Sequence, residues 1–94
     1  MKILGYYYRI VADGDVDNMG SCGRLHAKSQ KIQIATDLCE QQKVSSVLHE
    51  IIEALNYHLE LKMQHEVIMS LEAALYQVLS DSGVDLSPLI KEIS

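Results

Sequence analysis

The chain has 94 residues, of which 48% are hydrophobic and 22% are charged, and its formal net charge is -5. This length suits one small domain over residues 1–94, and the apolar content is too high for intrinsic disorder. The negative charge argues against a nucleic-acid partner, because phosphate contacts need clustered Lys and Arg. No apolar run approaches the roughly 20 residues that cross a bilayer, and the first residues lack the features of a signal peptide. We therefore expect a cytoplasmic protein with no membrane partner.

The first part of the sequence predicts β-strands. The segment ILGYYYRIVA, residues 3–12, is rich in strand-forming residues and ends at the turn signal DGD. A second break, GSCG, precedes RLHAKSQKIQIA, residues 24–35, which alternates through Ile32 and Ile34. A hairpin turn is expected near Lys28 to Lys31. These patterns predict a small antiparallel sheet of two to three strands.

The helical period begins in the second half of the chain. Apolar residues recur every three or four positions from Val44 to Leu59. They predict a helix with one buried side, beginning near residues 41–45 and ending near residues 59–62. The opposite side carries the polar residues Ser45, His49, Glu53, Asn56 and Glu60.

A second helix is predicted from about Gln64 to Leu79, with Gly83 as its stop signal. Its apolar set, which we expect to face the first helix, is Val67, Ile68, Leu71, Leu75, Val78 and Leu79. Ser87 as an N-cap and Pro88 at the first helical position predict a short closing helix. The expected fold is therefore α+β: a small sheet in the N-terminal half, then two packed helices and a short C-terminal helix.

The segment SSVLHEIIEALNYH, residues 45–58, carries the residue types of a metal site. His49 and Glu53 are four positions apart in the predicted helix, so both side chains can point at one ion. Glu50 lies about 100° further round the helix and can reach water beside that ion, as a general base would. A tetrahedral catalytic site needs a third protein ligand. Glu72, on the polar edge of the second helix, is the candidate.

The segment HEIIE at 49–53, followed after 18 residues by Glu72, is similar to the gluzincin pattern. In that pattern a His-Glu-x-x-His helix precedes a glutamate ligand by a gap of about this size. From about residue 20 to residue 83 the chain also resembles the minimal zincins, small zincin-like proteins of bacteria and phages. The resemblance implies that His49 and Glu72 bind zinc and that Glu50 activates water. It also implies that a peptide adds as an extra strand, here beside residues 31–35.

Glu53 stands where that pattern has its second histidine. One imidazole and two carboxylates cancel more of the ion's charge, so we expect weakly held zinc that polarises water poorly. An oxygen-rich site also favours harder ions such as Mn²⁺ or Mg²⁺. This chemistry favours a pseudo-peptidase, a fold kept as a peptide-binding or regulatory module. The alternative is an active metal-dependent endopeptidase that uses His49, Glu53 and Glu72 as ligands and Glu50 as general base.

A third interpretation is a helical pairing protein with an exposed apolar surface. Met63 and Met69 could make adaptable contacts there, although core packing is the simpler expectation for both. Cys22 and Cys39 are expected to be free thiols, because two cysteines make no disulfide framework.

The three other histidines have different expected places. His58 falls on the apolar side of the first helix, which predicts a structural role. His65 lies about 10 Å along the helix axis from Glu72, so we do not expect these two to share an ion. It is either a donor at the rim of the site or an ordinary surface histidine. His26 is expected at a solvent-facing strand position.

Overall fold

Five short strands form two sheets in a computed structural model that describes residues 1–18 and 22–94. They are β1 (Lys2–Ile3), β2 (Tyr6–Tyr7), β3 (Arg9–Ala12), β4 (Gly23–His26) and β5 (Lys31–Ile34). β1 and β2 pair as an antiparallel hairpin. Its two turn residues, Leu4 and Gly5, both have positive φ, at 52° and 87°. This is the backbone that a two-residue hairpin turn requires.

The second sheet has the strand order β3, β5, β4. β4 and β5 form the predicted antiparallel hairpin, whose turn occupies residues 27–30. β3 pairs with β5 in parallel, which the all-antiparallel expectation did not include. Parallel neighbours need a long crossover connection. Here it passes through a short helix, α1 (Gly14–Asn18), where the sequence predicted only a turn, and then through β4.

The helices follow the sheet, as predicted for an α+β fold. They are α2 (Glu40–Leu59), α3 (His65–Asp81) and α4 (Pro88–Lys91). The left-handed residue Glu60, with φ at 51°, ends α2. Gly83, with φ at 83°, ends α3, where the N–H of Val84 donates to the carbonyl of Leu79. The helix limits therefore agree with the predicted ones to within a few residues.

The core lies between α2 and the sheets. One side of α2 contributes Val47 and Ala54, which pack against the alternating residues Ile32 and Ile34 of β5. The other buried members of this cluster are Ile3, Tyr8 and Ile10. A neighbouring side of α2 contributes Leu48 and Ile52, which pack on Ile68 of α3 together with Met63 and Tyr76. α2 is thus the central element, covered by strands on one side and by α3 on another.

α3 is less buried than its apolar pattern predicted. Ile68 is its buried residue, whereas Leu71 and Leu75, expected to face α2, are exposed. The reason is that α3 packs mainly on α2, so one row of its residues fills the interface. Met63 is a core residue as expected, but Met69 is exposed.

The C-terminal residues cover β3. Ile93 forms a parallel bridge with Ile10, the N–H of Ser94 donates to the carbonyl of Ile10, and the N–H of Ala12 donates to Ser94. Leu89, like Ile93, packs against the larger core cluster. The end of the chain therefore lies at the β3 edge of the sheet, away from the β4 edge.

A polar cluster on the outer face of the sheet braces β4 against β5. The side-chain carbonyl of buried Gln33 accepts hydrogen bonds from Arg24 Nε at 3.0 Å and from His26 Nε2 at 2.5 Å. The Gln33 amide donates to Asp13, whose pKa is lowered chiefly by the N–H of Asp15 and then by Gln33. His26, expected to face solvent, is half-buried in this cluster because Gln33 lies beside it across the hairpin.

His58 has the structural role that its place on α2 predicted. Its Nε2 lies 2.6 Å from the hydroxyl of buried Tyr8, and its ring stacks on Tyr6 with 4.2 Å between centroids. Burial raises the pKa of Tyr8, and the nearby Tyr57 and Tyr6 add to the effect. The histidine therefore fastens the end of α2 to the N-terminal strands.

The sequence also led to expectations about the cysteines and about membrane-spanning helices. Cys22 and Cys39 are exposed free thiols, as predicted. Across the described residues, no helix combines the length and the apolarity that a bilayer span requires.

Candidate metal centre

A pocket of about 870 Å³ lies where β4, α2 and α3 meet. β4 forms one wall through Gly23, Arg24 and Leu25. The other lining residues include Ser45, His49, Glu50 and Glu53 of α2 and His65, Met69 and Glu72 of α3. The three ligands predicted from the sequence, His49, Glu53 and Glu72, therefore meet in one pocket, with Glu50 beside them.

Glu72 contacts one nitrogen of His49. Its Oε1 lies 3.0 Å from His49 Nδ1, and its other oxygen accepts a hydrogen bond from the hydroxyl of Ser45. An ionised carboxylate can only accept, so Nδ1 donates in this contact, and in a neutral imidazole the lone pair is then on Nε2. A carboxylate at Nδ1 is the usual partner that orients a metal-binding histidine. Glu72 therefore contacts His49 as predicted. It contacts Nδ1, and Nε2 is the ring nitrogen that is left to bind an ion.

The other nitrogen of His49 faces two further candidate ligands. Its Nε2 is 3.4 Å from Glu53 Oε2, and His65 Nδ1 is 3.8 Å from that same oxygen. The candidate ligand atoms of His49, Glu53 and His65 all lie within 4.8 Å of one another. Zinc bonds of about 2.1 Å at tetrahedral angles place ligand atoms about 3.4 Å apart. The two contacts of Glu53 are close to this spacing, and imidazole and carboxylate are both zinc ligands, so these three residues could hold a zinc ion.

His65 was not predicted as a ligand. It is distant from Glu72 along their shared helix, but it approaches Glu53, which lies on the neighbouring helix. The ring of His65 also lies against that of His49, with 5.3 Å between centroids. One signal was available: helices joined by a short connection, here residues 60–64, form a hairpin whose ends lie side by side.

Glu50 is 6% exposed. Burial, followed by the charges of Glu53 and Glu72, raises its pKa to about 7. The carboxylate lies against β4 at Gly23, where an added methyl group would come within 3.0 Å of Glu50 Oε2. A general base works best when its pKa is near the working pH, and Glu50 has this property at neutral pH.

The prediction that a peptide would add beside residues 31–35 is wrong. β5, the strand of residues 31–34, lies between β3 and β4, so both of its sides are already paired. Among the described strands, β4 lies at an edge of this sheet, and it forms a wall of the pocket. Strand propensity indicates that a segment is extended, but long-range pairing decides which strand lies at an edge.

No match came from comparing the chain with protein-family models, with curated proteins or with solved structures. The likeness to gluzincins therefore remains an expectation from the motif.

Proposed function

We propose that the protein is a zincin-like metal-dependent peptidase with the ligands His49, Glu53 and His65 and with Glu50 as general base. The approach of His65 to Glu53 and His49 carries this proposal. With His65 in place of Glu72 as the third ligand, the donor set changes from one imidazole and two carboxylates to two imidazoles and one carboxylate. The latter is the His₂Glu composition of hydrolytic zinc sites, here with a glutamate and a histidine exchanged between the helices.

A zinc ion in this group would act as a Lewis acid on a peptide carbonyl and would lower the pKa of water. Glu50, which lines the pocket beside these residues, can accept a proton from the attacking water and return it to the leaving amine. Glu72 holds His49 through Nδ1, and Ser45 holds Glu72 in turn. This chain of contacts fixes the direction of the His49 nitrogen that faces Glu53.

The position of β4 supports a peptide as the substrate. Among the described strands, β4 lies at an edge of its sheet, and its residues line the pocket beside Glu50. An extended peptide that pairs with an edge strand is held by its backbone and places its side chains alternately on two sides. A peptide added along β4 would lie beside the pocket that contains the proposed ligands.

Zinc titration calorimetry tests the ligand set on protein purified without a chelator or a nickel column. We expect His65→Ala and Glu53→Ala to abolish zinc binding, because each removes a ligand. Glu72→Ala should weaken binding by about 10- to 100-fold, the usual effect of losing a partner of a ligand. His26→Ala, a histidine outside the pocket, is the control and should bind zinc like the wild type.

Two results would contradict this ligand set. One is a wild-type protein that binds no zinc. The other is a Glu72→Ala protein without zinc together with a His65→Ala protein that keeps it, the pattern expected if Glu72 is the third ligand.

Peptide cleavage by the zinc-loaded protein tests the reaction. Glu50→Gln should bind zinc and lose hydrolysis, since an amide cannot accept the proton. If the wild type binds zinc and peptides but cleaves none of a diverse peptide library, the pseudo-peptidase interpretation is the correct one.

A further inference from the structure

Ser46 of α2 has a buried hydroxyl with no hydrogen-bond partner among residues 1–18 and 22–94. The side chain is 7% exposed, and the buried residues of α2 are apolar except for Ser46 and Glu50. Ser70 of α3, by contrast, donates to the carbonyl of Glu66. Leaving a buried hydroxyl unpaired costs free energy, and each such group calls for an explanation. Because Ser46 lines the pocket, a ligand in the pocket can supply the partner.

The position of Ser46 on α2 places it on the wall beside β4. Gln42, Ser46 and Glu50 are four positions apart, so they form one row along the helix, and all three line the pocket. The neighbouring row carries the proposed ligands His49 and Glu53. Glu50 lies against β4. The row that contains Ser46 therefore faces the side of the pocket where the proposed peptide lies.

The groups around Ser46 are complementary to an uncharged polar side chain. A serine hydroxyl both donates and accepts hydrogen bonds, and so does the amide of Gln42. Neither group has a charge that could neutralise a charged substrate side chain. Glu50 is about 6 Å along the helix from Ser46, and Glu53 is further away in the same direction. A Thr, Ser, Asn or Gln side chain in this part of the pocket would satisfy the hydroxyl of Ser46, whereas an apolar side chain would leave it unpaired.

We propose that Ser46 is a specificity-determining residue that selects peptides with an uncharged, hydrogen-bonding side chain at one position near the cleaved bond. This inference rests on the proposed function and names the class of peptide that the same pocket takes. A site that hydrogen-bonds a substrate group rejects the analogue without that group, because the polar group of the site is then left unpaired. For one buried hydroxyl the difference corresponds to a factor of about 5 to 150.

Peptides that differ only by Thr or Val at one position test the selection, since the two side chains have similar shapes. For each position on both sides of the cleaved bond, kcat/KM is measured with the zinc-loaded protein. The wild type should prefer Thr at one position by about 5- to 150-fold. Ser46→Ala should lose this preference. Ser70→Ala should keep it, and it is the matched control because Ser70 is an exposed helix serine whose hydroxyl already has a partner.

Urea unfolding separates this role from a structural one. Ser46→Ala removes an unpaired buried hydroxyl and introduces a better helix-forming residue, so the variant should be at least as stable as the wild type. A Ser46→Ala protein that is clearly less stable would show that the hydroxyl stabilises the folded chain itself. That result would overturn the inference.

The peptide experiment distinguishes failure of this inference from failure of the proposed reaction. If peptides are cleaved without a preference for Thr at any position, or if Ser46→Ala keeps the preference, the inference is overturned and the reaction stands. If peptides bind but are not cleaved, the same comparison is made with dissociation constants, and the same two results decide. A protein that neither binds nor cleaves any peptide of a diverse library would contradict both proposals.

Discussion

Glu50 occupies a position where burial and two neighbouring carboxylates act on the same ionisable group. It is held between α2 and β4, and Gly23 on β4 leaves the space that its carboxylate occupies. Both Glu53 and Glu72 raise its pKa further by their charge. The buried position of the proposed base Glu50 therefore depends on Gly23, which lies 27 positions before it in the sequence.

The stability of the metal-free protein should fall as the pH rises through the titration of Glu50. Its pKa is about 7 in the folded protein against an ordinary value of 4.5, so the folded state holds a proton that the unfolded state has released. The free energy of unfolding should therefore decrease between about pH 4.5 and pH 7, by at most about 3 kcal/mol.

Urea unfolding at pH 5 and pH 8, with EDTA present, measures this difference. Glu50→Gln should lose the part of the pH dependence that comes from this carboxylate. Equal pH dependence in the variant and the wild type would show that Glu50 titrates normally.

Gly23→Ala should disturb Glu50 directly. The added methyl group would lie 3.0 Å from Glu50 Oε2 and 3.3 Å from the carbonyl of Gln33, so the carboxylate has to move. Overpacking of this kind costs about 1–3 kcal/mol, which urea unfolding measures. Gly14→Ala is the matched control, because a methyl group there meets nothing within 4 Å. A Gly23→Ala protein as stable as Gly14→Ala would contradict the close packing of Glu50 on β4.

At the scale of elements, α2 combines structural and chemical roles on different sides. Val47 and Ala54 pack in the core while His49 and Glu53 face the pocket. α3 adds His65 and Glu72 to the pocket, yet Ile68 is its buried residue. The position of two pocket residues therefore depends on a small apolar contact between two helices.

Ile68→Ala should loosen α3 and weaken zinc binding together. Ile68 is 1% exposed and packs on Leu48 and Ile52 of α2, so its truncation should cost about 2–5 kcal/mol. Zinc affinity should fall because His65 is carried on the same helix. Val84→Ala, an exposed site beyond α3, is the control and should change stability by less than about 0.5 kcal/mol. Urea unfolding and zinc titration give the two readouts, and a loss of stability without loss of zinc affinity would show that α3 stays in place.

At the scale of the whole molecule, the two ends of the chain lie close together. The N-terminal amine donates to the carbonyl of Tyr8 and lies 2.7 Å from a carboxylate oxygen of Glu92. Leu89, Ile90 and Ile93 pack against the core cluster on the β3 side. The pocket with the proposed ligands is on the β4 side, so the closing segment stabilises the fold at a distance from the proposed chemistry.

Deleting residues 88–94 should destabilise the protein without removing the metal site. The deletion exposes the core surface that three partly buried apolar residues cover, which predicts a loss of about 3 kcal/mol or more. The fraction of the truncated protein that remains folded should still bind one zinc ion per chain. Thermal unfolding and zinc titration measure the two effects, with Lys91→Ala as the control at an exposed position. A truncated protein that is folded but binds no zinc would place the metal site elsewhere.

The predicted elements differ in how far local pattern determines them. The limits of α2 and the shared face of His49 and Glu53 follow from apolar periodicity and helix geometry within one segment. The central position of β5 was not predicted, because pairing with β3 depends on a strand far away in the sequence. The same limit applies to Leu71, whose apolar character indicated burial although α2 covers only one row of α3.

The sequence by itself determined the α+β order of elements, the helix limits and the placing of His49, Glu50 and Glu53 on one helix. Each of these depends on residues within a few turns of one another. Only the tertiary structure decided that His65 faces Glu53, that Glu72 binds Nδ1 of His49, and that β4 is the edge strand beside the pocket. The physical reason is that these contacts join separate elements, and the packing of the whole chain selects which surfaces meet.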